Sequence, residues 1–345
     1  MKVKEARRTA SEWVKEAAAP HEEFVGAYLS GSTVDLTEDA DLPPASDVDI
    51  MVVTSREEPP GKLGKFLYQG VLLEVTHLPL NRLASAESVL ADYHLAGGFR
   101  RDTVIADPSG RLKELQRDVS RQFADRHWVR QRCLQALNKI RTGVQGLDPD
   151  ASLPDLVNSW LFPAGITTHV LLAAALRNPT VRLRYPAANA VLREYGLEAV
   201  YPELLKLLGC EAWTPHQAST HMEALSRSFD AAAAVSRTRF PFSADITPEA
   251  RAVAIDGSRE LVHSGQHREA VFWIGATFAR CHKILLADSP ALIPAHLPAF
   301  QAFLTDLGLP DRSSIISRSR EVLASVPLVE ATAERILEAN RAISG

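Results

Sequence analysis

The chain has 345 residues, 46% of them apolar, and a formal net charge of −4. That length and apolar share support a large core and about two domains. The mild negative charge argues against a general nucleic-acid coater, no apolar run approaches the ~20 residues that span a bilayer, and the charged N-terminus lacks the apolar stretch of a secretory signal.

In chain order, residues 4 to 19 read as a helix stopped by Pro20. "FVGAYLSG" (24–31) and "DVDIMVVT" (47–54) read as strands, and "KFLYQ" and "VLLEVTHL" as an antiparallel pair turning at Gly70. Periodicity predicts one helix over 81–96, ending at Gly97-Gly98, and "DTVIADPSG" (102–110) a short β-rich run closed by a turn. Strand patterns largely end there. Helical segments recur near 153–176, 187–208, 214–235, 247–263, 267–288, 294–307 and 318–343, with no repeat period. The fold class is therefore α+β: a small mixed-sheet domain over 1–120, then an all-α domain over 121–345. Cys133, Cys210 and Cys281 are odd in number and widely spaced, which fits reduced thiols in a cytoplasm.

The chemistry concentrates at the second strand. Residues i and i+2 of a strand share a face, roughly 6.5–7 Å apart. Asp47, Asp49 and Met51 are thus placed on one face, and Val48, Ile50 and Val52 on the other. Two half-buried carboxylates repel unless a cation lies between them, and hard oxygen ligands suit Mg2+. Glu74, the one charge in "VLLEVTHL", is positioned to be a third acid if that strand lies beside the first two. Each feature alone has a plainer reading: a solvated strand entry, an exposed strand face, an ordinary turn at Gly31-Ser32. Their order is the specific signal.

"LSGS…SDVDIMVV…VLLEVTHL" resembles the nucleotidyltransferase superfamily typified by DNA polymerase β, and within it is most similar to the antibiotic nucleotidyltransferases of the kanamycin and lincosamide type. The likeness covers residues 31 to 112. It implies a two-metal transfer of a nucleoside monophosphate from an NTP to an acceptor hydroxyl, with pyrophosphate released. Asp47, Asp49 and Glu74 would hold Mg2+, and the Gly31 backbone and Ser32 hydroxyl would contact the terminal phosphates. Lys139, in "CLQALNKIRTG", matches a lysine that touches the nucleotide. Two departures stand out. The loop between Ser32 and Asp47 holds 14 residues and four acids, Asp35, Glu38, Asp39 and Asp41, read as solvated or as reaching a cationic acceptor. Gln135 stands where the resemblance expects the glutamate that activates the acceptor, leaving Asp102, Asp155 or metal-bound activation as substitutes.

Other candidates weigh less. Arg177, Arg182 and Arg184 suit phosphates but read first as a solvated helix junction. His263 and His267 have zinc-like spacing, yet Gly265 lies between them and no HExxH pattern is present. Trp160, Phe162, Trp273 and Phe278 read as core, and P-loop, Rossmann and G-x-S-x-G signatures are absent. The expectation is a cytoplasmic Mg2+- and ATP-dependent nucleotidyltransferase conferring antibiotic resistance. Its acceptor would be an aminoglycoside- or lincosamide-like hydroxyl, with the helical domain as the other wall of the cleft. Neither membrane nor nucleic acid is expected as a partner, and a homodimer is left open. The alternatives are a protein or RNA acceptor, or a non-catalytic nucleotide-binding descendant.

Overall fold

The computed structural model describes all residues, Met1–Gly345, and the chain divides into two compact units. The first comprises Met1–Arg132 with two later segments, Leu176–Pro179 and Arg341–Gly345; the second comprises Cys133–Ala175 and Thr180–Asn340.

The first unit is built on five strands: β1 (Phe24–Ser30), β2 (Val48–Thr54), β3 (Gly64–Tyr68), β4 (Val71–Pro79) and β5 (Val104–Ala106). Their order is β3-β4-β2-β1-β5. β1 runs antiparallel to β2 and β5, β3 antiparallel to β4, and β2 parallel to β4, so the sheet is mixed. The β3–β4 hairpin turns on Gln69 and Gly70, both at positive φ (48° and 78°), as a two-residue hairpin that follows strand twist requires.

Helix α1 (Val3–Trp13), continued by a π turn to Ala18, lies on one sheet face against Val48, Ile50, Val52, Leu73 and Val75. Full burial of each such aliphatic side chain contributes about 1.5–3 kcal/mol. A one-residue slip of β2 would push Asp49 into this apolar layer, so the alternation itself fixes which face carries the acid. The opposite face is covered by α2 (Ala86–Ala91), α3 (Ala96–Phe99) and α4 (Arg111–Gln122), through Tyr28, Val53, Leu90, Phe99, Leu112 and Val119.

The single helix expected over 81–96 is not formed. Ser85 caps the start of α2 by accepting from Ser88 N, and Asp92 leaves helical geometry (ψ 112°) while its carboxylate accepts from His94 N and Leu95 N. An aspartate that satisfies following amides competes with helix continuation. Gly97 and Gly98 lie inside α3 rather than ending a helix, and a Cβ on Gly98 would press on the Tyr28 ring at 2.9 Å.

Helix α5 (Arg126–Gln145) begins in the first unit and passes into the second. The second unit is all helix: α6 (Leu153–Ala174), α7 (Arg184–Glu194), α8 (Tyr201–Leu208), α9 (Pro215–Val235), α10 (Gly257–His263), α11 (Val271–Asp288), α12 (Ile293–Asp306), α13 (Arg312–Ala324) and α14 (Val326–Ala339). The run expected over 318–343 is two helices parted at Ser325, just before Pro327, which cannot donate a helical hydrogen bond. By length and composition α6 is apolar enough to cross a membrane, contrary to the expectation that no segment approaches that length, but 78% of that stretch is buried. It packs against α7, α11, α13 and α14 as the axis of the unit. Cys133, Cys210 and Cys281 are free and buried, and burial pushes the Cys210 and Cys281 thiols well above their ordinary pKa.

Candidate functional site

The sheet register builds the site. Across neighbouring strands, Ser30 of β1 faces Asp49 of β2, Asp49 faces Glu74 of β4, and Glu74 faces Lys65 of β3. Asp47 precedes β2 and joins the same end. Asp47, Asp49 and Glu74 each present a carboxylate oxygen, all within 4.8 Å of one another, with Glu74 buried and the two aspartates half-buried. The three acids that the sequence singles out are therefore brought together, from segments 25 residues apart in register.

Carboxylates this close repel, and the protein answers with lysine. Lys65 Nζ lies 2.6 Å from Asp47 Oδ2 and also bonds Glu74 Oε2, while Lys62 Nζ pairs with Glu74 Oε1. Neither lysine figured in the sequence reading. A signal existed: with a two-residue turn at 69–70, antiparallel counting puts Lys65 directly opposite Glu74.

Gly31 bends the chain out of β1 with φ 71° and ψ −163°. A Cβ built there would collide with the Asp49 carboxylate, so position 31 requires glycine for both conformation and space. Ser32 opens the short 3-10 turn Ser32–Asp35 and is exposed. The Gly31 carbonyl accepts from Asn178 Nδ2 at 2.8 Å, although Asn178 is 147 residues away, in the segment that returns to the first unit. Nothing local in the sequence marks this contact.

The same segment brings positive charge. Arg100 donates through Nη1 to Leu176 O at 2.7 Å and pairs through Nη2 with Asp35. Burial, then the neighbouring Arg101 and Arg177 guanidiniums, push Arg100 down to about 10. Three guanidiniums thus gather around residues that hold the Gly31 turn. The solvated junction expected at 176–185 forms around Arg177, which is exposed, but does not extend to Arg184. Arg177 belongs to the first unit, Arg182 Nη1 donates to Gly257 O at 3.0 Å, and Arg184 is buried with its guanidinium 3.8 Å over the Phe272 ring.

The acidic loop after Ser32 is tied to the N-terminus. Asp39 pairs with Lys4 and Asp41 with Lys2, each at 2.8 Å and exposed, and Arg7 Nη2 donates to Thr33 O at 2.6 Å. Exposed pairs of this kind contribute little, in keeping with a solvated loop.

Among substitutes for the missing glutamate, Asp155 is committed to the second unit's architecture: it accepts from Ser152 Oγ at 2.7 Å and pairs with Lys283. Although its burial acts to raise the carboxyl's pKa, Lys283 and Ser152 together hold it below its ordinary value, a poor setting for a base. Asp102 is exposed and precedes Thr103, whose carbonyl accepts from Leu29 N at 2.9 Å, so Asp102 enters the sheet at the Ser30–Asp49 end. Gln135 and Lys139 lie on the part of α5 that belongs to the second unit, Lys139 on its exposed face. His263 ends α10, Gly265 follows at φ 81°, and His267 bonds Trp213 O at 2.8 Å, so the two histidines share no helix. Trp160, Trp273 and Phe278 are core residues, and Phe162 stacks edge-on against Phe272.

Three carboxylates with oxygens within 4.8 Å of one another form a hard, anionic oxygen set of the kind that holds Mg2+ or Mn2+. A glycine turn that lets an anion approach the backbone, flanked by arginine, is a fitting neighbour for phosphate. No family model and no curated protein matches the chain. Among solved structures it is similar to a nucleotidyltransferase-like protein from Exiguobacterium sibiricum, with 12% identity, a TM-score of 0.30, and coverage of 88% of this chain and 92% of that one. With so little superposition, the chemistry of the site rests on its own residues.

Proposed function

We propose that the protein is a nucleotidyltransferase of the DNA polymerase β-like superfamily, of the antibiotic-modifying kind. With Mg2+ it moves a nucleoside monophosphate from an NTP, ATP first, to a hydroxyl of an aminoglycoside- or lincosamide-like molecule. The observation that carries this reading is the convergence of Asp47, Asp49 and Glu74 within 4.8 Å beside the Gly31 turn. In the reaction the acceptor oxygen bonds the α-phosphorus, the bond to the bridging oxygen of the β-phosphate breaks, and pyrophosphate leaves with that electron pair. The acceptor proton passes to a base, for which Asp102 stands at the right end of the sheet. Asp47, Asp49 and Glu74 would hold the divalent ion, which supplies charge neutralisation for the phosphates. Ser32 and the Gly31 amide bind terminal phosphate oxygens, Asn178 fixes the turn, and Arg177 with Arg101 supplies positive potential. The buried free thiols suit a reducing cytoplasm.

A second reading, a non-catalytic nucleotide-binding descendant, is favoured by one observation: Lys62 and Lys65 already bond two of the three acids. The deciding experiment supplies each α-32P-labelled NTP with Mg2+ to wild type and Asp49→Asn, against a panel of aminoglycosides and lincosamides and a cell extract. Label on a small molecule, lost in the variant, supports the proposal. Label on protein or RNA moves the acceptor to a macromolecule, and nucleotide binding without any transfer supports the descendant.

A further inference from the structure

Lys65 has no role in the transfer proposed above, yet it is the most enclosed charged side chain at the site, 6% exposed. A buried ammonium is costly unless paired and hydrogen-bonded. It pairs with Asp47 at 2.6 Å and with Glu74, two of the acids assigned to the metal. Its position is not incidental: the Gln69-Gly70 turn sets the β3–β4 register, and that register puts Lys65 opposite Glu74, which itself faces Asp49. Lys62 reaches Glu74 from the chain before β3 and is more open, at 27% exposed.

We propose that Lys65 is the resident second cation of this site. Its ammonium bridges Asp47 and Glu74 and takes up part of the anionic set, so the three acids have room for one divalent ion rather than two. The inference rests on the nucleotidyltransferase reading for the use of the ion, but the count of ions is its own claim. The physical basis is direct. A dication brought beside a fixed ammonium meets twice the repulsion of a monocation at the same distance, in surroundings that screen poorly. The ammonium also neutralises the carboxylates that would otherwise attract the second ion. Lys65 acts through Glu74 and Asp47, as a positioning residue. Lys62, closer to water, is the weaker partner of Glu74.

The test is a titration of the full chain with Mn2+ alone, free ion being read by electron paramagnetic resonance. Wild type is expected to bind one Mn2+ at the site and Lys65→Arg likewise one. Lys65→Ala should open a second site, or tighten the first by about tenfold, the scale on which groups around a metal set its affinity. Should Lys65→Ala fail to fold, Lys65→Met keeps the packing of the stem and makes the same comparison. Two ions in wild type, or a count and affinity unchanged in the neutral variants, would overturn the proposal. If that result came with NTP-dependent transfer intact, the nucleotidyltransferase reading would survive it. No ion in wild type would overturn the one-ion count and that reading together.

Discussion

The two units bury charge in opposite ways. In the helical unit, buried and half-buried charges are settled in separate local contacts. Arg280 pairs with Asp245 at 2.9 Å under the Trp273, Phe162 and Phe242 rings, Lys283 pairs with Asp155, and Glu269 accepts from Tyr201 Oη at 2.8 Å. In the sheet unit, three carboxylates of like sign converge within 4.8 Å, with lysines drawn in around them. A lone pair needs only its partner, so it fits a structural role. Converging like charges are unfavourable in a fold unless something cationic uses them. That contrast, more than burial or charge count, separates the candidate site from the rest of the molecule.

If the contrast is right, substitutions in the two regions fail differently. Asp49→Asn is expected to lower transfer by about 10³-fold, the scale of several kcal/mol that metal charge stabilisation supplies, while the melting temperature holds or rises as repulsion is relieved. Parallel steady-state assays and calorimetry measure both. Arg280→Ala should do the reverse. It takes the guanidinium away from the half-buried Asp245 carboxylate, costing about 3 kcal/mol of stability in urea unfolding, with Kd for nucleotide unchanged. A loss of nucleotide binding in Arg280→Ala would erase the distinction drawn here.

Gly31→Ala sharpens it from the other side. The glycine-only backbone geometry (φ 71°, ψ −163°) and the collision with Asp49 should cost about 2 kcal/mol, and nucleotide affinity should fall with it. A fully stable, fully binding Gly31→Ala would mean that the turn does not press on the acid.

The smallest effect is a pH dependence in the helical unit. Burial holds His282 below its ordinary pKa of 6.5, although its backbone hydrogen bonds to Phe278 and His296 act the other way and the nearby His296 charge adds only a smaller depression. A depressed folded pKa favours the neutral ring, so the stability it carries is present above pH 6.5 and drains away as pH falls through the folded value. Melting temperature should decline below that pH, and His282→Phe should flatten this part of the profile. An identical decline in the variant would assign it to other groups.

Much of the sheet was legible because its signals are local. Alternation in "DVDIMVV" gave the face of Asp49, Gly70 gave the hairpin, and the order Gly-Ser, Asp-x-Asp, lone Glu pointed to three acids meeting. What could not be read depends on distant parts of the chain. The parallel pairing of β2 with β4 brings Glu74 beside Asp49, and Asn178 reaches Gly31 from the end of α6. The missed break at Asp92 has a different cause: helical periodicity continues through it, and only the side chain's bonds to His94 N and Leu95 N end the helix. Arg184 was misjudged because a guanidinium over an aromatic ring looks, in sequence, like any surface arginine.

That the converging acids form a metal-dependent nucleotide site is the proposal on which the rest depends. It is tested most directly by thermal unfolding of wild type and the Asp47→Asn/Asp49→Asn double variant with each NTP, with and without Mg2+. At ligand near 100 times Kd, the account predicts a Mg2+-dependent stabilisation of about 2.7 kcal/mol in wild type, a shift of a few degrees, and none in the variant. No shift in wild type with any NTP at millimolar concentration, or an equal shift in the variant, would contradict it.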